Sequence, residues 1–279
     1  MSSLTNKIVL GSVQFGLNYG ISNNDGITPI NEVREILKTA ERNKINVIDT
    51  AYAYGVSEKV LGEVGVEKFD IITKFINIDS PDNLERQFNE SLENLNLKRV
   101  YGYLAHRHAD ILNYPKIWNK LIELREEGII QKIGFSLNNP EELDHLLIKG
   151  FIPDLIQVPY NYFDRRFEKS ISNLKKEFGT EIHTRSTFLQ GLFFMNPNEL
   201  NSHFDSIKKL LIALQNEDLS CQLFQFVLNR EFIDRVVIGV NDSDQLYQNI
   251  NCVSKSLEFL PVLNERISDN ILSPVNWPK

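Results

Sequence analysis

The chain has 279 residues, of which 42% are hydrophobic, and a formal net charge of −7. That length can bury a large core and fits either one α/β barrel or two ordinary domains. The acidic balance argues against a general affinity for nucleic acid or for an anionic membrane surface.

Residues 1–7 lack the apolar stretch of a secretion signal, and no apolar run approaches the ~20 residues of a membrane span. A soluble, cytoplasmic protein with no membrane attachment is expected. Short β-branched runs then alternate with amphipathic stretches along the whole chain. They predict strands over 8–13, 46–48, 70–73, 100–105, 130–135, 155–158, 181–184 and 236–238. Helices are predicted over 31–43, 57–64, 82–95, 115–127, 140–149, 168–177, 204–214 with 219–229, and 243–255. Residues 17–28, rich in glycine and asparagine, read as a long loop after the first strand.

Local chemistry supports several of these starts. Ser80-Pro81-Asp82 and Asn139-Pro140-Glu141 each offer an N-cap, a proline at the first helical position and an early acid. In the third helix Leu84, Phe88, Leu92 and Leu95 fall on one stripe, the mark of a core-facing surface. Eight strands, each followed by helical pattern, imply parallel pairing through right-handed crossovers. The fold class read from this is a single-domain (β/α)8 TIM barrel over residues 1–279, whose chemistry belongs on the loops at the C-terminal strand ends. The two cysteines, Cys221 and Cys252, form neither a CxxC nor a CxxH spacing and read as two reduced thiols.

The segment Asp49-Thr50-Ala51-Tyr52-Ala53-Tyr54-Gly55-Val56-Ser57-Glu58 places a carboxylate at a strand end and a phenol in the loop beyond it, before a helix opened by Ser57. Lys74 follows the third strand and His106 the fourth, so all four groups project from one end of adjacent strands. A free phenol has a pKa near ~10 and is a weak acid at neutral pH. A neighbouring ammonium would lower it, and a carboxylate would position that ammonium. Tyr54 could then protonate a carbonyl oxygen that a neutral His106 orients.

The DTAxxYGxSE pattern, with Ile71-Ile72-Thr73-Lys74-Phe75 and Tyr103-Leu104-Ala105-His106, resembles the aldo-keto reductases across nearly the whole chain. The resemblance implies a catalytic tetrad of Asp49, Tyr54, Lys74 and His106. It also implies a nicotinamide cofactor held by barrel loops, since neither GxGxxG nor GK[ST] is present. Ser136 and Gln157 resemble the residues that hold the nicotinamide carboxamide in that family. Arg185-Ser186-Thr187-Phe188-Leu189-Gln190-Gly191-Leu192 resembles its turn after strand seven, where Ser186 and Phe188 would offer backbone N–H groups to a pyrophosphate. Arg185 stands where that family usually has a stacking aromatic. The RSTFLQGL turn looks like a subgroup linked to surface-polysaccharide and modified-sugar biosynthesis.

The stretch Ile238-Gly239-Val240-Asn241-Asp242-Ser243-Asp244-Gln245-Leu246-Tyr247-Gln248-Asn249 resembles the adenosine-binding loop and helix, which assigns Gly239, Asn241, Gln245 and Asn249 to the cofactor. The family norm is NADPH. Here Asn241, Asp242 and Gln245 replace the basic residues that grip its 2′-phosphate, so NADH use is compatible; Asp242 could equally cap the helix.

Arg107, Arg165, Arg166 and Arg185 form a candidate positive rim for an anionic, sugar-like carbonyl substrate. His106 and His108 at i and i+2, with His183, raise a metal-dependent hydrolase as an alternative, and a non-catalytic dinucleotide sensor on the same fold is another. The sequence leaves the oligomeric state open.

Overall fold

The computed structural model describes residues 4–21, 23 and 25–278. Eight parallel strands close into one barrel in the order β1 to β8. They are β1 (Ile8–Gly11), β2 (Val47–Asp49), β3 (Asp70–Phe75), β4 (Val100–Ala105), β5 (Ile130–Ser136), β6 (Leu155–Pro159), β7 (Glu181–Arg185) and β8 (Arg235–Gly239). The helices are α1 (Ile30–Arg42), α2 (Ser57–Val64), α3 (Pro81–Leu95), α4 (His108–Asn113), α5 (Lys116–Glu126), α6 (Pro140–Ile148), α7 (Glu168–Phe178), α8 (Lys208–Leu214), α9 (Leu219–Leu228), α10 (Ser243–Cys252) and α11 (Asp269–Leu272). Every predicted strand is present, and so is the predicted (β/α)8 architecture.

Register decides which side chains meet inside the barrel. Partners across a parallel pair share a face, so the chain of pairs Gly11↔Asp49, Asp49↔Ile72 and Lys74↔Leu104 turns Asp49 and Lys74 inward. The pairs Ser136↔Gln157, Gln157↔His183 and Pro159↔Arg185 do the same for Ser136, Gln157, His183 and Arg185. The waist of the barrel is apolar, filled by Val9, Val47, Ile72, Leu104, Leu155 and Val237. The larger core lies outside, between strands and helices, and α3 joins it through Leu84, Phe88 and Leu95.

The lower end of the barrel is closed by a polar cluster. Glu181 Oε2 accepts from the Tyr101 hydroxyl at 2.5 Å and from Lys132, while its Oε1 lies 2.6 Å from His183 Nε2. Burial alone would raise the Glu181 pKa, but these donors outweigh it and hold the carboxyl well below the usual range. Four donors and acceptors meeting in a closed end are a structural plug.

Several local expectations change. Ser80 caps α3 by accepting from Asn83 N–H at 3.2 Å, as its sequence suggests. Asn139 does not cap α6; its side chain accepts from Arg166 at 3.0 Å instead. Ser57 is the first residue of α2 rather than its cap, and its hydroxyl is buried 2.8 Å from Ser12 Oγ. The helix expected over 204–214 is a 3-10 turn, Ser202–Ile207, followed by α8.

The two thiols expected to be reduced are a disulfide, Cys221–Cys252, with Cα atoms 4.9 Å apart. The barrel brings α9 and α10 side by side, so cysteines 31 residues apart become neighbours. Spacing along the chain does not carry that information. Among the described residues no helix is long and apolar enough to cross a membrane.

Candidate active site

Two glycines fix the loop that carries Tyr54. A Cβ on Gly16 would lie 1.9 Å from the Tyr54 carbonyl oxygen. Gly55, at φ +60°, has its Cβ position 2.4 Å from the Gly16 carbonyl. Only residues without side chains let the loops after β1 and β2 touch so closely. The contact turns the Tyr54 ring toward the barrel mouth.

Beneath it lies a closed polar pair. Lys74 is fully buried and donates to Asp49 Oδ1 at 2.8 Å, Asp49 Oδ2 at 2.7 Å and the Thr50 carbonyl at 2.8 Å. Burial lowers the lysine's pKa, and the Asp49 carboxylate opposes that shift. Gln157 Nε2 donates to Asp49 Oδ1 at 2.7 Å, and Gln157 Oε1 lies 3.4 Å from Ser136 Oγ.

The Lys74 ammonium sits over the Tyr54 ring, 5.0 Å from its centroid, and donates no hydrogen bond to the phenol. The expected lowering of the phenol pKa is therefore not what the structure gives. Burial raises it well above the usual phenol range, and the Asp49 charge adds to the rise. Arg185 is the cation that opposes both. His106 packs against the same ring, with centroids 5.8 Å apart and planes at 80°. Burial, then the charges of Lys74, Arg185 and Arg107, lower the imidazole pKa to about 3, so it is neutral near pH 7. Its Nδ1 is buried without a hydrogen-bond partner among the described residues.

A cleft of about 520 Å³ opens at the C-terminal strand ends. Among the expected residues Asp49, Tyr54, His106, Arg185, Ser186, Phe188, Gly239, Asn241, Gln245 and Asn249 line it. Lys74 lies just behind Asp49. Ser136 and Gln157, expected to hold a carboxamide, do not line the cleft; they are buried, and Gln157 is committed to Asp49. Their inward positions lie deeper in the barrel, where the Gln157 amide meets the Asp49 carboxylate.

The turn after β7 is strained. Ser186, Leu189 and Gln190 have φ values of +65°, +45° and +54°. Asn161 Nδ2 holds the Ser186 carbonyl at 3.0 Å. Among the described residues the N–H groups of Ser186, Thr187 and Phe188 find no protein acceptor. Successive free N–H groups in such a turn form a concavity for an anion.

Sequence reasoning did not single out the strap that crosses the cleft. The loop after β1 is tied to the β7 turn by Ile21 N–H on the Gln190 carbonyl at 3.1 Å and by Gln190 Nε2 on the Tyr19 hydroxyl at 2.9 Å. Asn241 Nδ2 reaches Asn23 Oδ1 at 3.3 Å on the other side. Tyr19, Asn23 and Gln190 all line the cleft.

At α10 the capping alternative holds: Asp242 Oδ1 accepts from Gln245 N–H at 2.7 Å. Gln245 Oε1 in turn accepts from Asn241 N–H at 2.9 Å. A further carboxylate, Glu32 at the start of α1, accepts from Ser243 N–H at 2.7 Å.

The positive rim is not assembled. Arg166 forms a two-pronged pair with buried Asp164 at 2.9 and 2.8 Å, Arg165 donates to the Leu263 carbonyl, and Arg107 to Asn77. Of the four arginines only Arg185 lines the cleft. The histidines also diverge. His108 lies on α4, 3.5 Å from Glu142, and His183 is tied to Glu181 below. Among the described residues no group of three or more His, Cys, Asp or Glu is placed to hold a metal ion.

A parallel eight-stranded barrel thus carries an Asp–Lys pair beneath a Tyr–His pair at its mouth. The aldo/keto reductase family model matches residues 7–259, and the chain belongs to that family. It is 31% identical over 162 residues to methylglyoxal reductase DkgA of Escherichia coli, covering 54% of this chain and 56% of that protein. It is 26% identical over 160 residues to aldo-keto reductase YhdN of Bacillus subtilis, covering 51% and 48%. The chain thus spans about half the length of the curated relatives it matches. Among solved structures, aldo-keto reductase AKR11C1 of Bacillus halodurans in its holo form superposes with a TM-score of 0.71 at 21% identity, covering 95% of this chain and 90% of that one. Glycerol dehydrogenase AKR11B4 of Gluconobacter oxydans superposes at 0.65 and 19% identity, covering 90% and 88%. At these identities the structural matches speak for the fold.

Proposed function

We propose that the chain is an NAD(P)H-dependent oxidoreductase that reduces a small aldehyde or ketone, with Tyr54 as proton donor. The observation that carries this reading is the contact between a phenol and a neutral imidazole on the wall of the cleft, above a neutral Asp49–Lys74 pair. A carbonyl oxygen against both rings would take a hydrogen bond from His106 and a proton from Tyr54. The Asp49–Lys74 pair fixes the ring from below without placing net charge there.

The donor set suits a dinucleotide. The three free N–H groups at Ser186 to Phe188 match a pyrophosphate, and the amides of Asn241, Gln245, Gln248 and Asn249 match a ribose and an adenine. When bound, the nicotinamide supplies the hydride. Glu32, Asp242 and Asp244 surround the start of α10 with negative charge, which disfavours a 2′-phosphate and supports NADH use. The RSTFLQGL turn supports a sugar-derived substrate.

Turnover of reduced dinucleotide with a panel of aldehydes tests the reading. Tyr54→Phe is expected to lose about 10²–10⁴ in kcat while still binding dinucleotide. Tyr52→Phe is the control, because the Tyr52 hydroxyl donates to Glu90 at 2.7 Å, away from the cleft. Equal turnover by Tyr54→Phe and the wild type would refute the assignment.

A further inference from the structure

We infer that Arg185 makes the chain select the reduced nicotinamide dinucleotide over the oxidised one, because it is an unpaired cation fixed in the part of the cleft that receives the nicotinamide ring. The inference rests on the function proposed above and adds to it a basis for working in the direction of carbonyl reduction.

Two ends of the cleft fix where the ring belongs. Among the described residues the N–H groups of Ser186, Thr187 and Phe188 find no protein acceptor, and the Thr187 hydroxyl beside them is buried without a partner. These unsatisfied groups suit the pyrophosphate. Hydride passes only between atoms in near contact, about 3–3.5 Å, so the nicotinamide end has to reach a carbonyl held at Tyr54 and His106. The ring therefore belongs between the Ser186–Phe188 turn and those two side chains.

Arg185 is placed along that interval. It immediately precedes the turn, on the inward face at the top of β7. Its guanidinium reaches over to the end of β5, where Nη2 donates to the Leu137 carbonyl at 3.0 Å and to Asn138 Oδ1 at 2.7 Å. Nη1 lies 3.3 Å from Ser186 Oγ. Ala105 pairs with Phe135, so His106 leaves β4 beside that same strand end. Arg185, Tyr54 and His106 all line the cleft.

The charge balance then decides the outcome. Of the residues lining the cleft Arg185 is the only lysine or arginine and Asp49 the only acid, and Asp49 is paired with Lys74 at 2.7 Å. The acceptors that hold Arg185 are neutral, and among the described residues no carboxylate forms an ion pair with it. A guanidinium stays protonated in proteins, so this positive charge is permanent. The reduced nicotinamide ring is neutral, whereas the oxidised ring carries a positive charge. The pyrophosphate has the same charge in both forms and drops out of the comparison. Arg185 thus repels the oxidised ring alone, in a cleft whose low polarity strengthens the effect. In a mixture of both forms the chain loads the reduced one and sheds the oxidised one.

The test measures Kd for NADH by its fluorescence and Kd for NAD+ by displacement of NADH, on the full chain, with NADPH and NADP+ compared in the same way. The wild type is expected to bind the reduced form about tenfold or more tightly than the oxidised form, and Arg185→Gln to shrink that ratio about fivefold or more. Arg185→Lys, which keeps the charge, should keep most of the ratio. Asn138→Ala, which removes one of the groups holding the guanidinium, should lower it by less than Arg185→Gln does. In carbonyl reduction the oxidised dinucleotide should inhibit Arg185→Gln more strongly than the wild type. Equal weakening of both forms by Arg185→Gln would assign the guanidinium to the pyrophosphate and overturn the inference, as would a wild type that binds the two forms alike. If Arg185→Gln does not fold, an unchanged ratio in Asn138→Ala overturns it instead. A wild type that binds neither dinucleotide sinks the proposed function itself, whereas an active wild type whose ratio is indifferent to Arg185→Gln sinks only the role of Arg185.

Discussion

Gln157 Nε2 donates to Asp49 Oδ1 at 2.7 Å, joining two strand ends 108 residues apart. The amide therefore completes the shell of a buried carboxylate that also takes two bonds from Lys74. Leaving such an acceptor short of a donor costs about 1–3 kcal/mol. Gln157→Leu, close in volume, should lower unfolding stability by that amount in urea titration, with dinucleotide affinity changed by less than about threefold. An unchanged midpoint with a tenfold loss of affinity would reassign the amide to the cofactor.

The His106 imidazole makes stability depend on acid. Its folded pKa, about 3, lies below the ordinary value of 6.5, so between these limits the unfolded chain binds the extra proton. The contribution is full above about pH 6.5 and is lost as pH falls toward 3. His106→Gln keeps a hydrogen-bonding side chain but cannot titrate there. Its stability relative to the wild type should improve steadily from pH 7 to pH 4, read from denaturant midpoints. Parallel curves would show that burial of His106 is not what the acid limb measures.

Much of this was legible in the chain, and the reason is local. Residues 100–105 read as a strand and form one, and Lys74, expected just after the third strand, lies near the C-terminal end of β3. Asp49, Tyr54 and His106 follow strands whose ends share one side of the barrel, so their convergence follows from topology. What failed is non-local. Gln157 points inward as its position requires, but whether its amide meets solvent or Asp49 depends on the register of β5 with β6. Lys74 was expected to serve Tyr54, yet Asp49 and Thr50 take all its protons. The strap from Tyr19 to Gln190 joins loops that no sequence period connects.

At the closed end of the barrel, Glu181 accepts from Tyr101, Lys132 and His183 while far from the cleft. Removing its charge leaves half-buried Lys132 without its partner, a loss of about 1 kcal/mol for a partly exposed pair. Glu181→Gln should cost that much in stability while kcat and KM stay near wild type. Because its carboxyl is held below the usual range, the stabilisation is present above about pH 4.5 and lost as pH falls. A kinetic defect with unchanged stability would contradict a purely structural plug.

The carboxylates at the start of α10 set an expectation for cofactor choice. Glu32 and Asp242 already occupy the N–H groups of Ser243 and Gln245. A 2′-phosphate would displace one of them or sit beside both. NADH should therefore bind at least as tightly as NADPH, and Glu32→Gln should improve NADPH affinity several-fold while leaving NADH nearly unchanged. A tenfold preference of the wild type for NADPH would overturn this.

The Cys221–Cys252 bond ties α9 to α10, and Ser220 and Asn249 beside it line the cleft. Its closed loop, with a sequence separation of 31, should contribute about 2–4 kcal/mol, mainly by restricting the unfolded chain. Thiol titration of the denatured, unreduced chain should find no free thiol. Reduction should lower the melting temperature, and Cys221→Ser with Cys252→Ser should reproduce the reduced protein and lose all response to reductant. Because α10 also carries Gln245 and Asn249, loosening it should weaken dinucleotide binding more than it slows turnover at saturating dinucleotide. Two titratable thiols in the unreduced chain, with a melting temperature indifferent to reductant, would remove the crosslink from the account of this helix pair.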